Sequence, residues 1–133
     1  MNLPSPFISK FEQYLQEEAR DFFASFLLPR KSGLRINPLK ITAEKWERLS
    51  PFTLEKIPFV NNGYYYNENQ DQPGKHPYHA AGLYYIQEPS AMFVAEQLAP
   101  DSGDKVLDLC AAPGGKTTQL AGLMNQNGLI IAN

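Results

Sequence analysis

The segment 105–133 carries the pattern that most limits how this chain can fold. The apolar runs "KVLDL" (105–109) and "LIIAN" (129–133) are separated by a small-residue loop, "CAAPGG" (110–115), and by "KTTQLAGLM" (116–124). The last of these is helix-like, since Leu120, Leu123 and Met124 fall on one side of a helix. Short apolar runs on either side of such a stretch are typical of buried parallel strands joined by a crossover helix. The segment therefore predicts a strand–loop–helix–strand unit, the opening of a parallel α/β sheet.

The loop of this unit is compatible with two kinds of ligand site. A Walker A phosphate loop needs glycine where this chain has Cys110, and Asp108 would face the bound phosphates. A site for S-adenosylmethionine follows a strand that ends in an acid and has a loop of small residues. Asp108 and Gly114 fit that second pattern, and the acid can accept a hydrogen bond from the cofactor's amino group or order the loop. A spaced glycine motif would fall at positions 110, 112 and 114, and only Gly114 matches it.

The chain before this unit predicts a small α+β module over residues 1–88. Ser5 is predicted to cap a helix that begins at Pro6, and the Phe residues that follow recur at helical spacing, as expected of core packing. Strands are predicted at "GLRI" (33–36), on both sides of "NNG" (61–63), and at "GLYYIQ" (82–87). Thr42 is predicted to cap a helix, with Ile41 and Trp46 at hydrophobic-staple spacing.

The polar stretch "NENQDQPGKHPYH" (67–79) has no apolar periodicity and predicts a loop. Pro89 then begins an apolar helix, so the domain boundary is placed between residues 88 and 89. Residues 89–133 are interpreted as the start of a Rossmann-like domain.

Charge and cysteine content exclude several classes of protein. The net charge is −2, so no overall basic field indicates nucleic-acid binding. Seven basic residues nevertheless lie between positions 30 and 56 against three acids, which is compatible with either a solvated surface or a phosphate-contacting one. One cysteine and two histidines leave no basis for a disulfide or a metal site. No signal peptide or membrane span is evident, and the expected location is the cytoplasm.

Three segments, in order, resemble one family. "LDLCAAPGGKTTQLA" (107–121) is similar to the cofactor loop of the Sun/Nop-type RNA cytosine-C5 methyltransferases. "GLYYIQEPSAM" (82–92) resembles the segment leading into that family's catalytic domain, and "LRINPLK" (34–40) resembles its N-terminal motif. The resemblance extends in particular to bacterial enzymes that methylate small-subunit ribosomal RNA.

The resemblance implies S-adenosylmethionine as cofactor and ribosomal RNA as partner. It places the cofactor against Cys110, Ala111, Ala112, Pro113, Gly114, Gly115 and Lys116, with Thr117 near the helix start. It also implies an N-terminal module that holds RNA, in which Arg35 and Lys40 are candidates for phosphate contacts. The three tyrosines at 64–66 could stack on bases, although their alternation predicts that at least one lies in the core.

The resemblance assigns no catalytic residue within this chain. The family uses a cysteine thiolate that attacks C6 of cytosine and a second cysteine that assists product release, both beyond the segment that corresponds to residue 133. Cys110 is therefore not expected to be the nucleophile. The chain is expected to be an N-terminal fragment, inactive by itself, that binds the cofactor weakly or not at all. Its incomplete sheet is expected either to self-associate through residues 100–133 or to be poorly ordered there. A non-catalytic RNA-binding fragment and a P-loop-like nucleotide-binding fragment are the alternatives.

Overall fold

The structure, a computed structural model, describes residues 3–133. The chain forms two compact units, one that ends at Arg30 and one that comprises Lys31–Asn133. The second unit contains an antiparallel sheet and a parallel strand pair together. The division between residues 88 and 89 stays a prediction about domain organisation.

The first unit is a pair of helices held by aromatic packing. Helix α1 (Ser5–Leu15) and helix α2 (Ala19–Ser25) are joined by a 3-10 turn. The Phe11 ring stacks on Phe22 with centroids 4.9 Å apart, which confirms that the Phe stripe is core. The predicted cap is wrong by one residue: Pro4 precedes the helix, Ser5 is its first residue, and no side chain caps it. Pro6, the second residue of the helix, has no N–H group, so one of the donors that a cap would satisfy is absent.

The larger sheet has the strand order β2–β3–β1–β4, and all its strands are antiparallel. The strands and the helix that follows β1 are β1 (Ser32–Ile36), α3 (Ala43–Leu49), β2 (Leu54–Lys56), β3 (Gly63–Tyr66) and β4 (Tyr84–Ile86). Every residue of β1 is buried, because this central strand has neighbours at both edges and packing on both faces. The strands match the sequence predictions in type and order, but the strand predicted directly before Asn61 lies earlier: β2 ends at Lys56, and residues 57–62 form the connection to β3.

One face of this sheet holds the main core. The fully buried side chains Leu34, Ile36 and Trp46 lie there, and the cluster also contains Ile41, Tyr64 and Tyr84. Burial raises the pKa of both tyrosine hydroxyls to about 12. Because strand residues alternate between faces, the neighbouring Tyr65 packs on the opposite side, against Ile57, Val60 and Met92. The expectation that one of the three tyrosines is core is confirmed.

Local capping also follows the sequence. The Thr42 hydroxyl accepts from the Lys45 amide at 3.3 Å at the start of α3, as predicted. The polar stretch 67–79 is more regular than predicted: it contains a 3-10 turn at Pro73–Lys75 and helix α4 (Pro77–Ala80). Prolines at the first positions and His76, whose Nδ1 accepts from the Tyr78 amide, stabilise these short elements without any apolar periodicity.

The last segments form the parallel unit. Helix α5 (Pro89–Leu98) precedes β5 (Lys105–Asp108), helix α6 (Gly115–Leu123) and β6 (Leu129–Ala132). Strands β5 and β6 are parallel, with Val106 opposite Ile130, which confirms the predicted strand–loop–helix–strand order. Helix α6 packs on α5, where the side-chain Nε2 of Gln119 donates to the Met92 carbonyl at 2.9 Å. It also lies close to the turn after β1: a Cβ on Gly122 would come within 3.1 Å of Pro38.

Candidate cofactor loop and adjacent pocket

Asp108 orders the loop at the carboxyl end of β5. One carboxylate oxygen accepts from the Cys110 amide at 3.1 Å, and the other accepts from the Thr117 hydroxyl at 2.6 Å. Inside the loop, the Gly114 amide donates to the Ala111 carbonyl. The carboxylate therefore closes the loop onto the first turn of α6. Thr117 does not cap that helix, because its hydroxyl is directed to Asp108.

The two glycines of the loop serve different purposes. Gly114 has φ +106°, and a Cβ there would meet no atom within 4 Å, so glycine is required by the backbone angle and the space in front of it is open. A Cβ on Gly115 would instead lie 3.4 Å from Gln87 and Tyr85. Gly115 thus faces the antiparallel sheet while Gly114 faces open space.

The start of α6 has no side-chain cap. Its first-turn amides lack intrahelical partners, and such amides favour an anionic group. Cys110 is exposed and Lys116 is partly buried beside it. Both line a pocket of about 260 Å³ together with Asp108; its walls are otherwise apolar and come from α5, β5 and α6: Val94, Ala95, Leu98, Val106, Leu107, Leu109 and Leu120. Of the seven predicted cofactor residues, the structure brings Cys110 and Lys116 into this pocket, and Ala111, Ala112, Pro113, Gly114 and Gly115 form the turn at its side.

Arg35 does not lie on the surface, in contrast to the phosphate-contacting position expected from the sequence. Only 4% of it is exposed. Its Nε donates to Gln87 Oε1 at 3.2 Å, and its Nη2 donates to the Gly115 carbonyl at 3.1 Å and to Thr118 Oγ1 at 2.9 Å. Burial lowers the pKa of Arg35 to about 10, so the guanidinium stays charged at neutral pH. The fixed donors of arginine are thus used within the protein.

Lys40 remains on the surface at the rim of a second pocket. Its Nζ donates to the Ala81 carbonyl at 2.6 Å, which leaves two ammonium protons for other acceptors. The pocket has a volume of about 290 Å³ and is lined by Arg35, Asn37, Leu39, Lys40, Gly82, Tyr84, Tyr85, Thr118 and Ala121. The two predicted basic residues therefore line the same pocket, Arg35 as a buried residue and Lys40 as an exposed one.

Other members of the basic run are engaged with acids. Lys56 lies 3.1 Å from Glu47, which also accepts from the Tyr64 hydroxyl. The hydrogen bonds from Lys56, and then from Tyr64, lower the pKa of Glu47 below its usual value. Lys31 lies 3.8 Å from Glu55 and 4.5 Å from the centre of the Tyr65 ring. The excess of basic residues in the sequence is therefore partly neutralised on the surface.

Three residues of the site were not anticipated from the sequence. The Tyr85 hydroxyl donates to the Pro113 carbonyl at 3.4 Å, and Gln87 and Thr118 hold Arg35. The sequence position of Gln87, a polar residue between an apolar strand and Pro89, could have indicated a role in the site. In the structure its side chain is buried. Thr118 looked like an ordinary helix residue.

Comparison with known proteins agrees with this architecture. The family described as "N-terminal domain of 16S rRNA methyltransferase RsmF" matches residues 3–89, and "16S rRNA methyltransferase RsmB/F" matches residues 95–133. An α+β module followed by the start of a Rossmann-like domain, with a small-residue loop after β5, defines the Sun/Nop class of RNA methyltransferases. Within that class, the chain belongs to the RsmF family of 16S rRNA methyltransferases.

Individual relatives show how much of such a protein is present. Ribosomal RNA small subunit methyltransferase F of Shewanella oneidensis is 41% identical over 119 residues, which are 85% of this chain and 25% of the relative. The same-named protein of Vibrio cholerae is 37% identical over 142 aligned positions, which are 100% of this chain and 30% of that protein. The chain thus spans between a quarter and a third of the length of these relatives.

Solved structures of similar fold come from Pyrococcus horikoshii. A methyltransferase homolog has a TM-score of 0.84 at 32% identity and covers 98% of this chain and 44% of the other. NSun6 with SFG has a TM-score of 0.79 at 18% identity, over 97% of this chain and 58% of the other. At that lower identity, the likeness to NSun6 concerns the fold alone. Over the described range, residues 3–133, no helix is both long and apolar enough to cross a membrane.

Proposed function

We propose that this chain supplies the RNA-side module and the methionine end of the cofactor site in an S-adenosylmethionine-dependent methyltransferase that acts on cytosine C5 of small-subunit ribosomal RNA. The observation that carries the proposal is the loop of β5–α6: an acid-ordered turn, open at Gly114, that leads into an uncapped helix. Such a substrate would place the reaction in the cytoplasm. The boundary at residues 88 and 89 separates the two roles in this proposal.

The loop fits the cofactor in its chemistry. Uncapped amides at the start of α6 and the Lys116 ammonium suit a carboxylate, and a glycine in left-handed conformation lets a ligand approach the backbone. When bound, S-adenosylmethionine supplies an electrophilic methyl group. Asp108 is committed to the Cys110 amide and the Thr117 hydroxyl, so its part is to hold the loop.

The same geometry argues against a triphosphate site. A P-loop needs its Ser or Thr hydroxyl for a magnesium ion, and here the Thr117 hydroxyl donates to Asp108 at 2.6 Å. That carboxylate also lies beside the amides that would face phosphate, where its charge is repulsive. The loop therefore does not have the features of a P-loop.

No residue of these 133 is proposed as the attacking thiolate. Cys110, the single cysteine, is exposed in the cofactor loop, where its amide is bonded to Asp108. We expect these residues alone to position groups without transferring a methyl group.

An NMR titration of the ¹⁵N-labelled chain with S-adenosylmethionine tests the cofactor site. Amide shifts are expected at residues 110–117, the loop and the first turn of α6. Gly114→Ala, which forces alanine to φ +106°, should abolish the shifts. Gly74→Ala is the matched control, since its Cβ would lie 3.6 Å from Ile86 in ordinary contact. Shifts that are absent from the loop at millimolar cofactor would refute the site.

RNA binding by the second pocket is a separate proposal that stands even if the first fails. Its support is the exposed Lys40 ammonium beside the aromatic Tyr85, a combination that suits a nucleotide. Lys40→Ala should weaken binding of a labelled single-stranded RNA oligonucleotide and lower the salt slope by about one unit. Lys75→Ala, an exposed lysine outside the pocket, is the control. Equal effects of the two variants would assign the binding to general charge.

Self-association through the parallel pair is proposed on the exposure of its apolar side chains. Leu107, Leu109 and Ile131 are each more than half exposed, and Leu129 is nearly so. Exposed apolar strands of this kind recruit further strands.

A further inference from the structure

We propose that Arg35 is a positioning residue that fixes the cofactor loop from the antiparallel sheet. The inference rests on the proposed function for its significance, although the geometry and its test do not require bound cofactor. Arg35 lies in β1, and its two acceptors on α6, Gly115 and Thr118, are in the first turn after the loop. Residues far apart in the sequence are thereby joined between β1 and α6.

The contact reaches Gly114 through a relay of hydrogen bonds. Arg35 Nη2 donates to Thr118 Oγ1 at 2.9 Å, and that hydroxyl donates to the Gly114 carbonyl at 2.8 Å. The arginine uses a lone pair of the hydroxyl, which directs the hydroxyl proton toward the loop. Gly114 is the residue in left-handed conformation on which the loop turns. Arg35 thus stabilises the orientation of the pivot without touching it.

The other end of the arginine is held firmly. Arg35 Nε donates to the side chain of Gln87, whose backbone amide donates to the Gly33 carbonyl of β1 at 3.1 Å. A Cβ on Gly33 would lie 2.9 Å from the Gln87 carbonyl oxygen, so the two backbones are in direct contact. Gln87 is itself buried. Sheet, glutamine and arginine therefore form one rigid support for the loop.

Burying the charged guanidinium of Arg35 carries a desolvation cost. Removing a guanidinium from water is unfavourable unless its donors are satisfied, and the lowered pKa of Arg35 reflects that desolvation. Three donated bonds along the guanidinium edge provide the compensation. Lysine could not reproduce them, because a single ammonium cannot reach Gln87 Oε1 and the start of α6 at once.

Hydrogen exchange of the full chain, without cofactor, tests the proposal. The Gly114 and Thr118 amides donate to Ala111 and to Gly114 respectively, so both report on the loop. In Arg35→Gln these two amides should exchange about ten- to a hundred-fold faster relative to the amides of β3. Arg35→Lys should fail to restore protection. Arg48→Gln, which removes an exposed arginine of α3, should leave the loop unchanged.

Thr118→Val provides an independent measurement if the arginine variants do not fold. It removes the relay hydroxyl from α6 and leaves β1 intact, so Gly114 should lose protection while β3 does not. In the double variant Arg35→Gln, Thr118→Val the effects on Gly114 should be less than additive, because both changes remove the same bond between Arg35 and Thr118. Loop and β3 amides that change in parallel, full protection in Arg35→Lys, or additive effects in the double variant would each overturn the proposal. These outcomes are separate from the cofactor titration, whose failure concerns the proposed function.

Discussion

Gly33, the second residue of β1, provides the sharpest test of how the antiparallel sheet packs against α5. An alanine Cβ at this position would lie 2.9 Å from the Gln87 carbonyl oxygen, 3.0 Å from Pro89 Cγ and 3.1 Å from Met92 Cε. Met92 can give way, but the Gln87 carbonyl cannot, because the Gln87 amide is bonded to Gly33 itself. Gly33→Ala must therefore push β1 and the start of α5 apart.

Overpacking of this kind costs about 1–3 kcal/mol, and the lower entropy of unfolded alanine offsets roughly 0.4–1 kcal/mol of it. The expected net loss of unfolding free energy is about 1–2 kcal/mol. With a urea slope of roughly 1–2 kcal/mol per molar, the midpoint should fall by about 0.5–2 M.

Urea unfolding followed by tryptophan fluorescence measures this effect. Trp46 is the only tryptophan and is fully buried in the second unit, so it reports on this core. Gly74→Ala carries the same entropy change with an ordinary 3.6 Å contact, and it should be neutral or slightly stabilising. A Gly33→Ala midpoint equal to that of Gly74→Ala would show that the strand and helix are not in the close contact described.

Three further predictions address charge, assembly and activity. Hydrogen bonds from Lys56 and Tyr64 lower the pKa of Glu47 from the usual 4.5, so its carboxylate stabilises the fold above that pH. The difference in unfolding free energy between wild type and Glu47→Gln should therefore shrink as the pH falls below about 4.5. A difference that grows with acid would contradict these hydrogen bonds. Light scattering should show association of the full chain that Leu107→Lys with Ile131→Lys abolishes, and a monomeric wild type would rule out the strand surface. Incubation with methyl-labelled S-adenosylmethionine and ribosomal RNA should transfer no label, and label in cytosine that depends on Cys110 would reverse the assignment of that residue.

The sequence predicted those parts of the fold that depend on local chemistry. The Thr42 cap, the break of β1 before Asn37-Pro38 and the parallel order of β5, α6 and β6 all follow from periodicity and turn residues within a few positions. The start of α1 and the helical turns within 67–79 were misjudged, because adjacent prolines made several boundaries equally acceptable.

The site was only partly predictable, for a different reason. The cofactor loop is one contiguous string, so its residues could be named, although their contacts with a ligand stay predicted. The environment of Arg35 depends on Thr118, more than eighty positions away, and no local pattern encodes such a meeting. A basic residue in a short strand reads as a surface charge until its partners are known.

Arg35 contacts two sites: it lines the second pocket, and it donates a hydrogen bond to the start of α6. A ligand that draws the Arg35 guanidinium toward the second pocket must weaken its support of the cofactor loop. A ligand that accepts a further hydrogen bond from this guanidinium without moving it must strengthen that support. Thermodynamic reciprocity then requires that occupation of the cofactor loop change the affinity of the pocket by the same factor. Cooperativity between the two substrates of a transferase would in that case be set by one buried cation.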